Sequence, residues 1–128
     1  MRILLDTHVF LWFISGDRRL PLPLKESIRR PENDAYRSVA SVWEAVIKYQ
    51  LGRLPLPEAP ELYLPRQRER HRIASLTIDE ASVAQLATLP PHHRDRFDRM
   101  LVAQAKHHDL TIATVDARVQ QYGVPIVG

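Results

Sequence analysis

The sequence predicts an α/β fold in which a parallel sheet of about five strands is covered by helices on both faces. Short apolar runs suited to buried strands alternate along the chain with segments whose apolar residues recur at helical spacing. This alternation is typical of βαβ units with right-handed crossovers. With 128 residues, 45% of them hydrophobic, the chain has enough material for one core, so we expect residues 1–128 to form a single domain.

The first half of the chain contains the start of this pattern. The apolar run at 2–5 suits a buried strand, and Asp6 and Thr7 form a cap-like pair before the apolar stretch 9–14. Gly16 is a natural end for that helix. The same rules predict a short helix at 24–30, a strand at 35–38 and a helix at 41–51 that Gly52 ends.

The second half continues the alternation. Prolines interrupt the chain before a helix at 61–71, and a short strand at 73–76 follows. Thr77 and Glu80 match a capping box that would open a helix reaching about Leu89. The remaining predicted elements are a helix that contains Phe97 and runs towards His108, a strand at 110–114, a short helix that begins at Asp116 and ends at Gly123, and an edge strand at 125–127.

Four acidic residues stand where an apolar run meets a predicted helix start: Asp6, Glu44, Asp98 and Asp116. In a parallel sheet, every crossover helix begins at the carboxyl edge, where ligands bind near the switch in strand order. We therefore expect all four carboxylates to lie at that edge. The positive ends of the helix dipoles at this edge reduce the electrostatic repulsion among the four carboxylates.

A group of carboxylates resists ionisation unless a cation compensates its charge. Oxygen ligands in a chain without cysteine favour Mg²⁺ or Mn²⁺ over Zn²⁺. These ions serve phosphoryl chemistry, because they activate water and neutralise developing charge. Hydrolysis of a phosphodiester is therefore the first functional hypothesis.

Each acidic residue also has an ordinary structural explanation. Glu44 has the strongest one, because Ser41 and Glu44 match a capping box and Glu44 can pair with Lys48. Asp6 and Asp116 are candidates for simple helix caps, and Asp98 for a pair with a nearby arginine. The coincidence of all four at one edge favours a shared site.

Arginine clusters in two places. The group at 66–72 fits either a phosphate-binding surface or an ordinary solvated helix face, whereas Arg94, Arg96 and Arg99 surround Asp98, which favours contact with substrate. The histidines lack a metal-ligand spacing, and none is assigned as a ligand. Large aromatic residues are expected in the core rather than in base stacking, with an interface as the alternative: Trp12, Phe13 and Trp43.

The four acidic motifs resemble those of the PIN-domain ribonucleases, and more narrowly the VapC-type toxins of prokaryotic toxin–antitoxin pairs. The motifs are Leu4-Leu5-Asp6-Thr7-His8, Ser41-Val42-Trp43-Glu44, Phe97-Asp98-Arg99-Met100-Leu101 and Thr114-Val115-Asp116-Ala117-Arg118. The resemblance implies a Rossmann-like three-layer fold, Mg²⁺ or Mn²⁺ as cofactor, an RNA substrate, a homodimer and inhibition by a VapB-like antitoxin.

Carried onto this sequence, the resemblance makes Asp6, Glu44, Asp98 and Asp116 the metal-site and catalytic residues, with Thr114 as a supporting hydroxyl. Asp95 is an auxiliary carboxylate, either near the metal or a helix cap. Arg96 stands where close relatives often have proline, and we expect Arg96 and Arg99 to contact substrate.

Other functions stay open at this point. They are an RNA-processing or DNA nuclease of the same fold, and a non-catalytic RNA-binding domain. A phosphatase is less favoured, because the segment after Asp6 lacks the second nearby aspartate of the common phosphatase motif. Asp6 and His8 interrupt the apolar N-terminal run, and no segment suits a membrane span, so we expect a cytoplasmic protein.

Overall fold

The computed structural model describes residues 1–91 and 95–127, and its centre is one parallel sheet. The strands are β1 (Arg2–Leu5), β2 (Asp34–Ser38), β3 (Ala74–Leu76), β4 (Thr111–Ala113) and β5 (Ile126–Val127). They lie in the order β3-β2-β1-β4-β5, and every neighbouring pair is parallel. The chain therefore builds outward in one direction through β1, β2 and β3, and then returns to the other side of β1 with β4.

Helices cover both faces of this sheet. They are α1 (Thr7–Ser15), α2 (Leu22–Arg29), α3 (Val39–Gln50), α4 (Pro60–Arg70), α5 (Glu80–Gln85), α6 (Arg96–His108) and α7 (Ala117–Gln120), with a 3₁₀ turn at Leu86–Thr88. The predicted α/β class, with about five parallel strands and three layers, is confirmed.

Side chains of β1 alternate between two apolar cores. Ile3 and Leu5 point into one core, which contains residues of α1, α2 and α4, and Leu4 points into the other, built largely by α6 and α7. All three side chains are fully buried. Burial on both faces explains why the strand is a continuous apolar run, as expected of a central parallel strand.

Two of the predicted capping boxes are wrong. Helix α3 begins before Ser41, because Ser38 at the end of β2 accepts a hydrogen bond from the backbone N–H of Ala40 at 3.0 Å. Glu44 therefore lies beyond the first turn. Helix α5 is capped by Asp79 rather than Thr77, since the Asp79 carboxylate accepts from the Ser82 N–H at 2.8 Å. In both cases a good capping side chain lay closer to the true helix start.

The large aromatic residues are less buried than the sequence suggested. The Trp43 side chain is 50% exposed, so the core prediction is wrong for it, and its ring packs edge-on against Phe97 at 5.0 Å between centroids. Trp12 and Phe13 are partly buried against the first core. Within residues 1–91 and 95–127, no helix has the length and apolar character needed to cross a membrane.

Candidate active site

All four predicted carboxylates line one open pocket of about 480 Å³ at the carboxyl edge of the sheet. Asp6 follows β1, and Asp116 lies shortly after β4, so the pocket sits where the strand order reverses between these neighbours. This is the position at which parallel α/β sheets bind ligands. Among the residues that the structure describes, the lining consists of Asp6, His8, Trp12, Arg19, Glu44, Lys48, Asp95, Asp98, Val115, Asp116 and Arg118.

Asp6 is held from several sides. Its Oδ1 accepts from the His8 N–H at 3.3 Å and caps α1, and its Oδ2 accepts from the Thr114 hydroxyl at 2.6 Å. The same hydroxyl oxygen accepts from the Asp116 N–H at 3.0 Å. Asp6 and the turn that carries Asp116 are thus tied together through Thr114. Burial raises the pKa of Asp6, although these hydrogen bonds oppose the shift.

Glu44 is held by a buried hydroxyl pair and one lysine. Thr7 Oγ1 lies 2.8 Å from both Glu44 Oε1 and Ser41 Oγ. Because a hydroxyl has a single proton, Thr7 donates it to the carboxylate and accepts from Ser41. Lys48 approaches Glu44 Oε2 at 2.5 Å as an i,i+4 ion pair. Ser41 therefore orients Glu44 through Thr7 instead of capping the helix.

Asp98 is the carboxyl group most affected by crowding. Burial raises its pKa to about 8, and the negative charges of Asp6, Asp95, Glu44 and Asp116 add to the rise. Asp95 caps α6, since its Oδ1 accepts from the N–H groups of Phe97 at 2.8 Å and Asp98 at 3.1 Å. Asp95 thus acts as a helix cap and also lines the pocket, so the two roles left open for it are compatible.

Among the described residues, the cations that line the pocket do not include the predicted Arg96 and Arg99. Arg99 donates to the Pro90 carbonyl oxygen at 3.1 Å and to the Tyr122 hydroxyl at 3.3 Å, and it is not part of the lining. Arg96 is exposed and lies over the Phe97 ring, also outside the lining. Arg94, with His92 and His93, lies outside the described residues. Within residues 1–91 and 95–127, three other cations border the carboxylates: Arg19, Lys48 and Arg118.

The arginines of α4 lie away from the pocket. Arg66 pairs with Glu58 at 2.9 Å, and Arg68 donates to the Ile73 carbonyl oxygen. Arg70 and Arg72 border grooves near the starts of β2 and β3, at the opposite edge of the sheet from the carboxylates. Arg66 fits the solvated-helix explanation, whereas Arg68 is largely buried and holds the Ile73 backbone, so neither forms a phosphate surface continuous with the pocket.

The donor set of the pocket fits a hard divalent cation. Carboxylate oxygens dominate it, and a cation would relieve the repulsion that raises the Asp98 pKa. Among the described residues, no three of these carboxylates bring one oxygen each within 4.8 Å of one another. Mg²⁺ tolerates such spacing, because it keeps several waters and needs only one or two direct carboxylates.

Sequence reasoning identified Thr114 and Lys48 as neighbours of the carboxylates but missed three other residues that contact them. The sequence pattern indicates only a helix start for Thr7 and Ser41, and it gives no role to Arg118. The predicted pairing of Lys48 with Glu44, four residues apart on one helix, is confirmed. Arg118 follows Asp116 by two residues, and its Nε lies 3.3 Å from Asp116 Oδ1.

The comparison with family models agrees with this geometry. The model for the PIN domain matches residues 3–125. The chain belongs to the PIN-domain family. Among curated proteins, this PIN domain is similar to Ribonuclease VapC16 of Mycobacterium tuberculosis, with 40% identity over 52 residues. That match covers 41% of this chain and 37% of the relative.

Solved structures share the fold of this PIN domain over nearly its whole length. VapBC2 from Rickettsia felis, bound to a DNA fragment from its promoter, matches with a TM-score of 0.70 and 14% identity, covering 100% of this chain and 98% of that one. VapBC-1 from nontypeable Haemophilus influenzae matches with a TM-score of 0.69 and 17% identity, covering 98% and 96%. At these identities the likeness concerns the fold.

Proposed function

We propose that this PIN domain is a Mg²⁺-dependent endoribonuclease and the toxin of a VapBC-type toxin–antitoxin pair, acting in the cytoplasm. The observation that carries the proposal is the pocket in which Asp6, Glu44, Asp98 and Asp116 meet at the reversal of the strand order. The similarity to Ribonuclease VapC16 supports RNA as the substrate class. The fold shared with VapBC structures supports the toxin–antitoxin context.

The four carboxylates would hold Mg²⁺, with Mn²⁺ as a substitute. When bound, the ion lowers the pKa of the attacking water and offsets negative charge on the phosphate. Thr114 keeps Asp6 oriented through its 2.6 Å hydrogen bond, and Thr7 does the same for Glu44 at 2.8 Å. Asp95 fixes the start of α6 and with it the position of Asp98. No covalent enzyme intermediate is needed.

Substrate binding falls to the cations beside the carboxylates. Lys48, Arg19 and Arg118 line the same pocket and are suited to the phosphates on either side of the scissile bond. Arg96 is exposed next to the start of α6, so it remains a candidate for contact with RNA outside the pocket. The ring of Trp12 at the pocket wall offers a surface for an unstacked base.

Control by a VapB-like antitoxin is the second part of the proposal. A groove of about 520 Å³ adjoins the acidic pocket, and the two share His8, Trp12 and Arg19. Its walls include apolar side chains of α1 and of the segment before α4, which suit the apolar face of an amphipathic peptide. A basic residue of such a peptide would pair with the carboxylates and exclude the cation. We also propose a homodimer, as VapC-type proteins commonly form.

The nuclease proposal is tested by incubating the purified chain with matched RNA and DNA strands, with and without Mg²⁺. We expect Mg²⁺-dependent cleavage of RNA alone, and no cleavage by a folded Asp6→Asn variant. Cleavage of DNA in preference to RNA would indicate a DNA nuclease of the same fold. RNA binding without cleavage in any divalent ion would indicate a non-catalytic RNA-binding domain.

The toxin proposal needs a separate test in cells. Expression of the chain alone should arrest growth of its native host, and expression of Asp6→Asn should not. Harmless expression of a chain that cleaves RNA in vitro would instead favour an RNA-processing role. Light scattering of the purified chain tests the homodimer, which a monomeric mass at working concentration would contradict.

A further inference from the structure

A second group of potential metal ligands lies far from the acidic pocket, at the C-terminal end of α6. His107 and His108 belong to the last turn of that helix, and Asp79 caps the neighbouring helix α5. One ligand atom from each of the three residues lies within 4.8 Å of the other two. His108 follows Asp98 by ten positions in α6, which corresponds to about 15 Å along the helix axis.

The contact between His108 and Asp79 has the geometry of two ligands of one ion. His108 Nε2 lies 3.1 Å from Asp79 Oδ2, yet this nitrogen is buried and has no hydrogen-bond partner among the described residues. The two atoms are close, but the angles between them are unsuitable for a hydrogen bond. Ligand atoms around tetrahedral Zn²⁺, with bonds of about 2.0–2.1 Å, are separated by about 3.3 Å, which is near the observed distance.

The remaining geometry lets the third ligand reach the same point. The Asp79 carboxylate is anchored, because its Oδ1 accepts from the Ser82 N–H at 2.8 Å while Oδ2 faces the histidines. The ring of His107 is exposed and packs against the His108 ring at 4.7 Å, and one of its nitrogens lies within 4.8 Å of the ligand atoms of both other residues. The C-terminal end of a helix also favours a cation.

We propose that Asp79, His107 and His108 form a binding site for Zn²⁺ or a similar borderline transition metal, separate from the Mg²⁺ pocket. Two imidazoles and one carboxylate suit Zn²⁺, whereas Mg²⁺ prefers oxygen ligands alone. A bound ion would link the end of α6 to the start of α5. Gln104 of α6 already donates to the carbonyl oxygen of Thr77, in the segment just before α5, at 3.1 Å. The ion should therefore stabilise their packing, independently of catalysis.

The test is calorimetric titration of Zn²⁺ into the full chain in saturating Mg²⁺, so that the acidic pocket is occupied. We expect one equivalent to bind, and binding to weaken at least tenfold in His107→Ala, His108→Ala and Asp79→Asn. The asparagine side chain keeps an oxygen for the cap on α5, so this variant is expected to fold. Zn²⁺ should also raise the melting temperature of the wild-type chain but not of these variants.

Matched controls are Glu80→Gln, which removes a neighbouring exposed charge, and His71→Ala, which removes a histidine elsewhere. Both should bind Zn²⁺ like the wild type. Absence of binding in saturating Mg²⁺, or equal weakening in the controls, would show that the three residues form only an ion pair with a neighbouring ring. Because the readout is binding and melting, failure here leaves the nuclease proposal unaffected, and loss of RNA cleavage leaves this one unaffected.

Discussion

The hydroxyl of Thr114 donates to Asp6 Oδ2 at 2.6 Å across a gap of 108 residues, and it joins the ends of two neighbouring strands at the acidic pocket. The oxygen of the same hydroxyl receives the Asp116 N–H. A single side chain therefore sets the orientation of one carboxylate and the backbone position of another. Loss of an outer residue of this kind typically costs about tenfold to a hundredfold in metal affinity or activity.

Replacement of Thr114 by valine should lower RNA cleavage by about tenfold to a hundredfold, because the isosteric side chain cannot orient Asp6. Thr114→Ser keeps the hydroxyl and should retain most of the activity. Initial rates at saturating Mg²⁺ measure the effect, and circular dichroism confirms folding. Equal rates for the valine and serine variants would mean that the hydroxyl does not support the site.

Glu44→Gln should reduce Mg²⁺ affinity while leaving the thermal stability of the metal-free chain nearly unchanged. The helix cap belongs to Ser38, so the substitution cannot act through a lost capping box. Thr7 can still donate to the amide oxygen of glutamine. Mg²⁺ titration followed by calorimetry measures the affinity, and Glu61→Gln on α4 serves as the control. An unchanged affinity would remove Glu44 from the metal site.

The positions of the carboxylates were predictable from sequence because they depend on the backbone. Asp6 and Asp116 follow apolar strands, and parallel topology brings strand ends to one edge whatever the side-chain conformation. The direction of long side chains was not predictable. Arg99 is close to Asp98 in sequence, but its guanidinium reaches the Pro90 carbonyl and Tyr122 instead.

The two capping boxes failed for a related reason. Several residues near each helix start could act as the cap, and local spacing alone did not distinguish Ser38 from Ser41 or Asp79 from Thr77. The choice depends on where the preceding strand ends, which the sheet register decides. The parallel pairing of β2 with β3 extends β2 as far as Ser38, which lies opposite Leu76 of β3.

Asp98→Asn should stabilise the metal-free chain, increasingly as the pH rises. Its carboxyl has a folded-state pKa of about 8, above the ordinary value of 3.8, so ionisation of Asp98 opposes folding. The wild type should therefore lose stability relative to the variant as the pH rises from the ordinary pKa of 3.8 to the folded-state pKa of about 8. Above that pH the difference in stability should stay constant. Melting temperatures in chelator from about pH 5 to about pH 9 measure this difference.

The matched control for this experiment is Asp17→Asn. Asp17 is partly exposed, and its hydrogen bonds with Arg19 lower its pKa to about 2. Asp17 is therefore ionised in folded and unfolded chains throughout that pH range, so its substitution should shift the melting temperature by a constant amount. If the melting temperatures of the wild type and Asp98→Asn differ by the same amount at every pH, the raised pKa of Asp98 is contradicted.

Lys48→Met should raise the affinity for Mg²⁺ and lower the rate of RNA cleavage. Burial alone would lower the pKa of Lys48, but the hydrogen bond to Glu44 and the nearby negative charges raise it, so this ammonium group competes with a divalent ion. The ion pair between Lys48 and Glu44 contributes about 1 kcal/mol, so its removal should tighten Mg²⁺ binding a few-fold. Cleavage should fall, because a cation near the RNA phosphates is lost. Lys25→Met is the control, and weaker Mg²⁺ binding by Lys48→Met would show that the lysine supports the ion.

Arg37→Met should stabilise the fold, because Arg37 is a buried cation without adequate partners. The residue is 4% exposed, and its Nη2 donates to Ser75 Oγ at 3.0 Å. Nε and Nη1 have no hydrogen-bond partner among the described residues, and burial together with the charge of Arg68 lowers its pKa to about 10.

An unsatisfied buried donor costs about 1–3 kcal/mol, and methionine fills a similar volume beside the Phe10 ring without any polar group. The expected gain in the free energy of unfolding is about 1 kcal/mol or more, measured by urea denaturation at neutral pH. Arg66→Met on the surface of α4 should change stability by less than about 0.5 kcal/mol. A destabilised Arg37→Met variant would contradict this prediction, because it would show that the contacts of the guanidinium with Ser75 and the Phe10 ring outweigh the cost of its unsatisfied donors.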